Sequence, residues 1–171
     1  MSLSNLISER CSIRQFASTQ VEEEKLKLVL EAARLAPTAR NFQPQRIYVL
    51  KSEEALSKIR STIKYAFNAP IVFLVCANTD TSAKIVYDNN YCTAEMDACI
   101  VATHMMLQAQ ELGLGTLWVR GYNTAEVLKA FPLPLGERLV CILLLGYPAE
   151  NYKPSPLHFE RQELEKFVKY L

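Results

Sequence analysis

Three segments of the chain combine residue types that could hold an anionic or heterocyclic ligand. The first is Arg10-Cys11-Ser12-Ile13-Arg14. Alternate side chains of an extended segment point the same way, so Arg10, Ser12 and Arg14 can converge on one anion, and each planar guanidinium fork suits a phosphate. A solvated basic loop making surface salt bridges would use the same residues. The second is Ala36-Pro37-Thr38-Ala39-Arg40-Asn41-Phe42-Gln43-Pro44, where two prolines restrain the backbone around Thr38, Asn41 and Gln43. Amide side chains on fixed backbone match the alternating donors and acceptors at the edge of a planar heterocycle, and an ordinary capped turn has the same composition. The third is Glu111-Leu112-Gly113-Leu114-Gly115-Thr116-Leu117-Trp118-Val119-Arg120-Gly121, with neither a Gly-x-Gly-x-x-Gly nor a phosphate-binding lysine at the required offset. Helix termination and a close-packed strand account for Gly113 and Gly115, while Gly121 would let a ligand ring approach the backbone.

Other chemistries lack their residues. His104 lies in an apolar helical stretch and reads as a core histidine, and His158 lies in a loop. Neither has a paired cysteine or carboxylate at ligand spacing, so no metal is expected. There is no Gly-x-Ser-x-Gly elbow and no nucleophile for either histidine, so no catalytic side chain is assigned. The five cysteines, at positions 11, 76, 92, 99 and 141, show no Cys-x-x-Cys spacing, and three lie in apolar runs where cysteine acts as a small hydrophobe. With 19 Lys and Arg against 18 Asp and Glu, the charge is too balanced for a broad nucleic-acid or membrane footprint. Residues 1–14 mix charges into a short segment, so no export leader is expected and a reducing cytoplasm is. The longest apolar runs, residues 69–77 and 139–145, fall far short of the roughly 20 residues that span a bilayer and read as buried strands.

The elements that must position these segments follow from periodicity. Leu3, Leu6 and Ile7 form a short helix ahead of the basic loop, residues 9–16. From Val21, the acidic turn Glu22, Glu23, Glu24 opens a helix with an apolar stripe of Leu26, Val29, Leu30 and Ala33 that Pro37 stops. Residues 46–51 alternate as a half-buried strand; Ser52 caps a helix carrying Leu56 and Ile59; residues 71–77, apolar on both faces, read as a central strand. After the polar stretch 78–90, residues 91–112 form a long helix in which Met96, Cys99, Ile100, Val101, Met105, Met106 and Leu107 leave little polar surface. Such a helix must be buried nearly all round, and so small a chain offers it too few neighbours, which points to a second copy. Residues 116–119 and 138–146 are strands, Asn123 or Thr124 caps a helix through Phe131, and a proline-rich connector, residues 148–156, leads to a last amphipathic helix with Leu164, Phe167 and Val168. At 171 residues, half of them hydrophobic, one domain over 1–171 is expected. Its class is α+β, a mixed, mostly antiparallel sheet flanked by helices, because no regular doubly wound repeat appears.

Taken in this order, the three segments resemble the nitroreductase family of FMN-dependent flavoproteins over almost the whole chain. The specific part is the succession of an Arg-x-Ser-x-Arg loop, an Ala-Pro-Thr-x-x-Asn-x-Gln-Pro turn and Leu-Gly-Leu-Gly-Thr-x-Trp after the long helix. The resemblance implies a homodimer with FMN at its interface and hydride passing from NADH or NADPH through FMN N5 to an electron-poor acceptor such as a nitroaromatic or quinone. It implies that Arg10, Cys11, Ser12 and Arg14 bind FMN, with Arg161 closing the phosphate site from the C-terminal side. Pro37, Thr38, Ala39 and Asn41 would come from the partner subunit, Arg120 and Gly121 would lie beside N5, and Lys64 would approach the pyrimidine edge.

This chain departs from the family pattern in carrying a single Arg161 among His158, Phe159 and Gln162, where two cations are common, and in lacking the excursion that covers the flavin in larger members. Tyr65, Phe67 and Tyr87 are candidate pocket walls. Left open are the acceptor (an enone or halogenated aromatic among them), a flavin-storing or sensing protein without turnover, and a basic-loop interaction module.

Overall fold

The computed structural model describes residues 2–171. Its centre is a four-stranded antiparallel sheet in the order β1-β2-β6-β5, made of β1 (Gln45–Leu50), β2 (Ile71–Asn78), β5 (Gly115–Val119) and β6 (Glu137–Gly146). Each strand sorts its side chains by period two. Ile71, Phe73, Val75 and Ala77 of β2 face one layer, with Cys141, Leu143 and Leu145 of β6. Val72, Leu74 and Cys76 face the other, with Leu139, Ile142 and Leu144. A register shift between Val75 and Cys76 sets Cys141 opposite Val75 and Leu139 opposite Cys76, so each pair still shares a layer. The apolar residues 71–77 are thus central as expected. The mixed character of the sheet is confined to one parallel bridge, Ser12 to Thr116, since every strand pair is antiparallel.

Helices cover both faces. α2 (Glu23–Leu35) and α4 (Ala94–Glu111) lie on the first, where Ala94, Ala98, Ala102 and Ala109 let Leu26, Val29 and Ala33 approach closely. α3 (Glu53–Thr62) and α5 (Thr124–Ala130) cover the second. Ser52 caps α3 by accepting from the Ala55 amide at 3.2 Å, and Asn123 caps α5 through Ala125 N–H. α4 ends in a Schellman motif: Leu114 N–H reaches Ala109 C=O at 2.8 Å and Gly113 N–H reaches Gln110 C=O, with Gly113 at φ +74°. α1 (Leu3–Glu9) leads into the basic loop, and a hairpin of two-residue strands, β3 (Lys84–Ile85) in the polar stretch and β4 (Tyr91–Cys92), takes the first residues of the expected long helix, so that α4 begins at Ala94.

Within one chain α4 buries only its inner face, which is the shortage of neighbours expected of it: Met96 and Ile100 are exposed and Cys99 and Leu107 half-buried on the outer face. Two expectations are corrected. His104 lies on that outer face and is exposed, because residues 101 and 105, not 104, fall on the stripe toward the sheet. The last amphipathic helix does not form. Residues 148–171 carry only two single 3-10 turns, Pro156–His158 and Leu164–Lys166, and Leu164 and Phe167 are 64% and 66% exposed. A helix this short is marginal in water without an apolar surface to pack on, and one chain supplies none there. Among the described residues, no helix is long and apolar enough to cross a membrane.

Candidate active site

The basic loop is held extended between two neighbours. Ser12 bridges Thr116, with Ile13 N–H donating to Thr116 C=O at 2.9 Å. On its other side, Ala17 N–H donates to Tyr147 C=O and Ala149 N–H to Gln15 C=O, and Phe16 bridges Pro148. Extension sends Ile13 inward, buried, against Gly115, where any Cβ would overlap the isoleucine side chain. That contact explains Gly115. Arg10, Cys11, Ser12 and Arg14 are left to line a cleft of about 210 Å³ with Tyr152, Ser155, Leu157, His158 and Arg161. The chain ends therefore do meet at one place.

The cleft is cationic and unneutralised. No carboxylate lines it, and among the described residues Arg10, Arg14 and Arg161 take part in no ion pair. Arg14 donates only to Ser12 C=O at 3.4 Å, and Arg161 to the carbonyls of Glu160 at 2.7 Å and Leu157 at 3.5 Å. Guanidinium groups spent on neighbouring carbonyls keep most of their donors for an anion. Tyr152, not singled out in the sequence, ties the two halves of the cleft together by donating to Ser12 C=O at 2.7 Å, with the Cys11 thiol at 3.9 Å. Burial and the neighbouring Cys11 push its phenol up to about 12 against the pull of Arg14, so it remains a donor at neutral pH. Its only sequence signal is a tyrosine inside a proline-rich connector.

Arg14 and Tyr152 continue into an adjoining opening of about 440 Å³ that Phe67 also lines. The Phe67 ring lies 6.0 Å from that of Tyr65, and a Cβ on Gly121 would sit 3.3 Å from the Tyr65 ring. Lys64 Nζ lies 5.7 Å from the same ring's centre, and Arg120 packs 5.1 Å over Tyr122. Lys64 and Gly121 thus lie at Tyr65, and Arg120 over Tyr122, and none of the three lines the cleft or the adjoining opening. Tyr87 stands fully exposed on the hairpin and lines none of these openings.

The 37–43 turn is elsewhere in the chain, and no residue of it lines the cleft. Its backbone is unusual: Arg40, Asn41 and Gln43 have φ of +53°, +57° and +51°, a region that non-glycine residues enter at a cost of about 1–3 kcal/mol each. Just ahead of them, Ala39 is anchored to α4 by Asp97, 2% exposed, whose carboxylate accepts from Ala39 N–H and Thr93 O–H, both at 2.9 Å. Thr38 adds two bonds, its carbonyl accepting from Asn41 N–H at 2.9 Å and its hydroxyl from Gln43 N–H at 3.1 Å. The prolines flank a turn that Asp97 ties to α4 and Thr38 closes on itself.

Comparison with known proteins identifies the fold and the family. The sequence profile of the Nitroreductase family matches residues 7–66 and 64–147. A solved nitroreductase family protein from Clostridium difficile 630 superposes with a TM-score of 0.91 at 36% identity, covering 99% of this chain and 98% of that one. An FMN-dependent nitroreductase from Clostridium difficile R20291 gives a TM-score of 0.75 at 26% identity over 98% of both chains. The FMN reductase (NAD(P)H) of Bacillus subtilis strain 168 is 26% identical over 88% of this chain and 67% of its own length. With the family profile spanning most of its length and its strands and helices superposing on a solved member, the chain belongs to the Nitroreductase family.

Proposed function

We propose that this chain is an FMN-dependent NAD(P)H oxidoreductase that works as a homodimer, with each flavin shared between subunits. The observation that carries the reading is the arginine cleft: three unpaired guanidinium groups and the Ser12 hydroxyl converge on a space without a carboxylate, which fits the dianionic phosphate of FMN. When bound, FMN supplies the hydride chemistry, accepting from NAD(P)H and delivering to an electron-poor acceptor such as a nitroaromatic or quinone.

The chain's own groups bind, orient and polarise. Arg10, Ser12, Arg14 and Arg161 hold the phosphate, and the Tyr152 bond to Ser12 C=O keeps the loop in register with the C-terminal connector. Gly121, without a Cβ, would let the backbone next to Arg120 come against the reacting edge of the ring, while Arg14 or Lys64 would place positive charge where the reduced ring is anionic. The 37–43 turn of the partner subunit, with Pro37, Thr38, Ala39 and Asn41, packs against the ring. Support for the second subunit comes from the outer face of α4, where Met96 and Ile100 are exposed and Cys99 and Leu107 only half-buried, and from the uncovered apolar side chains of residues 157–171. Phe67, without the longer excursion of larger relatives, borders an opening of about 440 Å³ beside the cleft for donor and acceptor to use in turn.

The visible spectrum of the purified protein, followed by NAD(P)H oxidation with menadione or nitrofurazone, tests this. Yellow protein with acceptor-dependent turnover is expected. Flavin without turnover would favour a storage or sensing role, and colourless protein that takes up no FMN would end the proposal.

A further inference from the structure

The opening of about 440 Å³ beside the arginine cleft carries charge of one sign. Arg14 and Lys153 line it, and no carboxylate does. Among the described residues neither cation takes part in an ion pair, and Glu150, the acid nearest to Lys153 along the chain, lines neither the opening nor the cleft. The flavin phosphate would engage Arg10, Arg14 and Arg161. Lys153 is the cation left over, because it lines the opening and not the cleft.

The backbone that carries Lys153 is held on both sides. Tyr152, the residue before it, bonds Ser12 C=O through its hydroxyl at 2.7 Å and Ala149 C=O through its amide at 2.9 Å, and Ala149 N–H in turn donates to Gln15 C=O. Pro154 follows with its φ fixed by the ring. Another part of the lining is the ring of Phe67, presented by a turn that Ala69 N–H closes on Ala66 C=O at 3.0 Å. A planar apolar wall and a positive charge therefore border one space, with the amide side chains of Gln15 and Asn151 beside them. An exposed ammonium favours an anion only a few-fold, but with a second cation and no acid in the same opening that preference is not cancelled.

We infer that this opening selects reactants that carry an anionic substituent, with Lys153 as the residue that selects them and Phe67 as the wall for their planar part. The inference rests on the flavin reading, in which hydride donor and acceptor use the opening in turn. Two reactants can bring the charge: a nicotinamide donor with the additional 2′-phosphate of NADPH, or a planar acceptor with a carboxylate.

Two comparisons on the flavin-loaded protein at low ionic strength separate these sources. With menadione as acceptor, kcat/KM for NADPH is set against that for NADH. With one donor held fixed, kcat/KM for 4-nitrobenzoate is set against that for 4-nitrobenzamide, which has nearly the same shape without the charge. At least one ratio should favour the anion and fall by about threefold or more in Lys153→Gln, while Lys153→Arg keeps it. Added salt should lower the same ratio. A response in the first comparison assigns the charge to the donor, and one in the second assigns it to the acceptor. Neither ratio favouring the anion, or a ratio that Lys153→Gln leaves as it was, would overturn the inference. Loss of bound FMN in Lys153→Gln would overturn it too, by making Lys153 a flavin ligand. These results in a yellow protein count against the inference alone, whereas wild-type protein that takes up no FMN, read from its spectrum beforehand, overturns the flavin reading and the inference with it.

Discussion

The arginine cleft and the 37–43 turn are built on opposite principles. In the cleft, charged side chains sit on ordinary extended backbone and make few bonds of their own, so their donors stay available. In the turn, side chains contribute little, and a left-handed backbone follows an amide anchored by a buried carboxylate. One region is adapted for attraction and the other for shape. Separate regions for affinity and for placement mean that substitutions in each should fail differently.

The largest effect is expected where charge is removed. Arg10→Ala with Arg14→Ala should weaken FMN binding by roughly 10³-fold or more, since each charged hydrogen-bonding group contributes about 1.5–3 kcal/mol, and Arg14→Ala alone by about 10–100-fold. Calorimetric titration of the deflavinated protein checks both. Next comes the turn: Asp97→Ala strands the Ala39 amide and the Thr93 hydroxyl and should lower stability by about 1–3 kcal/mol in urea unfolding. Flavin binding should weaken in this variant while binding of pyrophosphate to the arginine cleft stays as it was. Loss of both together would erase the distinction between the two regions.

A third substitution separates the subunits. Met96→Glu with Ile100→Glu puts charge on the outer stripe of α4, and sedimentation should show a monomer that still binds pyrophosphate and no longer retains flavin.

These contrasts bear on what could be read from the sequence. β2 and β6 were legible because an uninterrupted apolar run bounded by polar residues has few places to go, and the caps Ser52 and Asn123 because an oxygen two or three residues ahead of an orphan amide has a defined job. Period two offered the convergence of Arg10, Ser12 and Arg14 beside a plain solvated loop, and it did not foresee Cys11 on the same cleft. The partners of that loop were not legible. Tyr152 is 140 residues from Ser12, and no local pattern links them. Asp97 was hidden because the helix around it reads as apolar, and an acid in a first turn that also holds Glu95 looks like an ordinary solvated one. His104 and the final helix were misplaced for one reason: periodicity fixes which residues share a face, and whether that face finds a neighbour is decided by the rest of the molecule.

The smallest effect belongs to the tie between the loop and the connector. Tyr152→Phe removes the bond to Ser12 C=O and should cost about 0.5–1.5 kcal/mol of stability, with FMN binding weakened less than tenfold. The same phenol gives a pH signature. Its folded value, about 12, lies above that of a free tyrosine, about 10, so its contribution is complete below pH 10 and is lost between about pH 10 and 12 as the unfolded chain ionises first. Tyr48 and Tyr122 are pushed up to about 12 as well, the first by its bond to Glu137 and the second by burial. Phenolate absorbance should therefore show three of the eight tyrosines titrating late, and unfolding should remove the late phase.

The most direct test of a phosphate held by the arginine cleft is a paired titration of the deflavinated protein with FMN and with riboflavin, which differ only in the phosphate. FMN should bind at least about 100-fold tighter, in line with two or more charge-assisted contacts, and Arg14→Ala should remove much of that margin. Equal affinity for the two flavins, in a protein whose Arg10, Arg14 and Arg161 are intact, would contradict it.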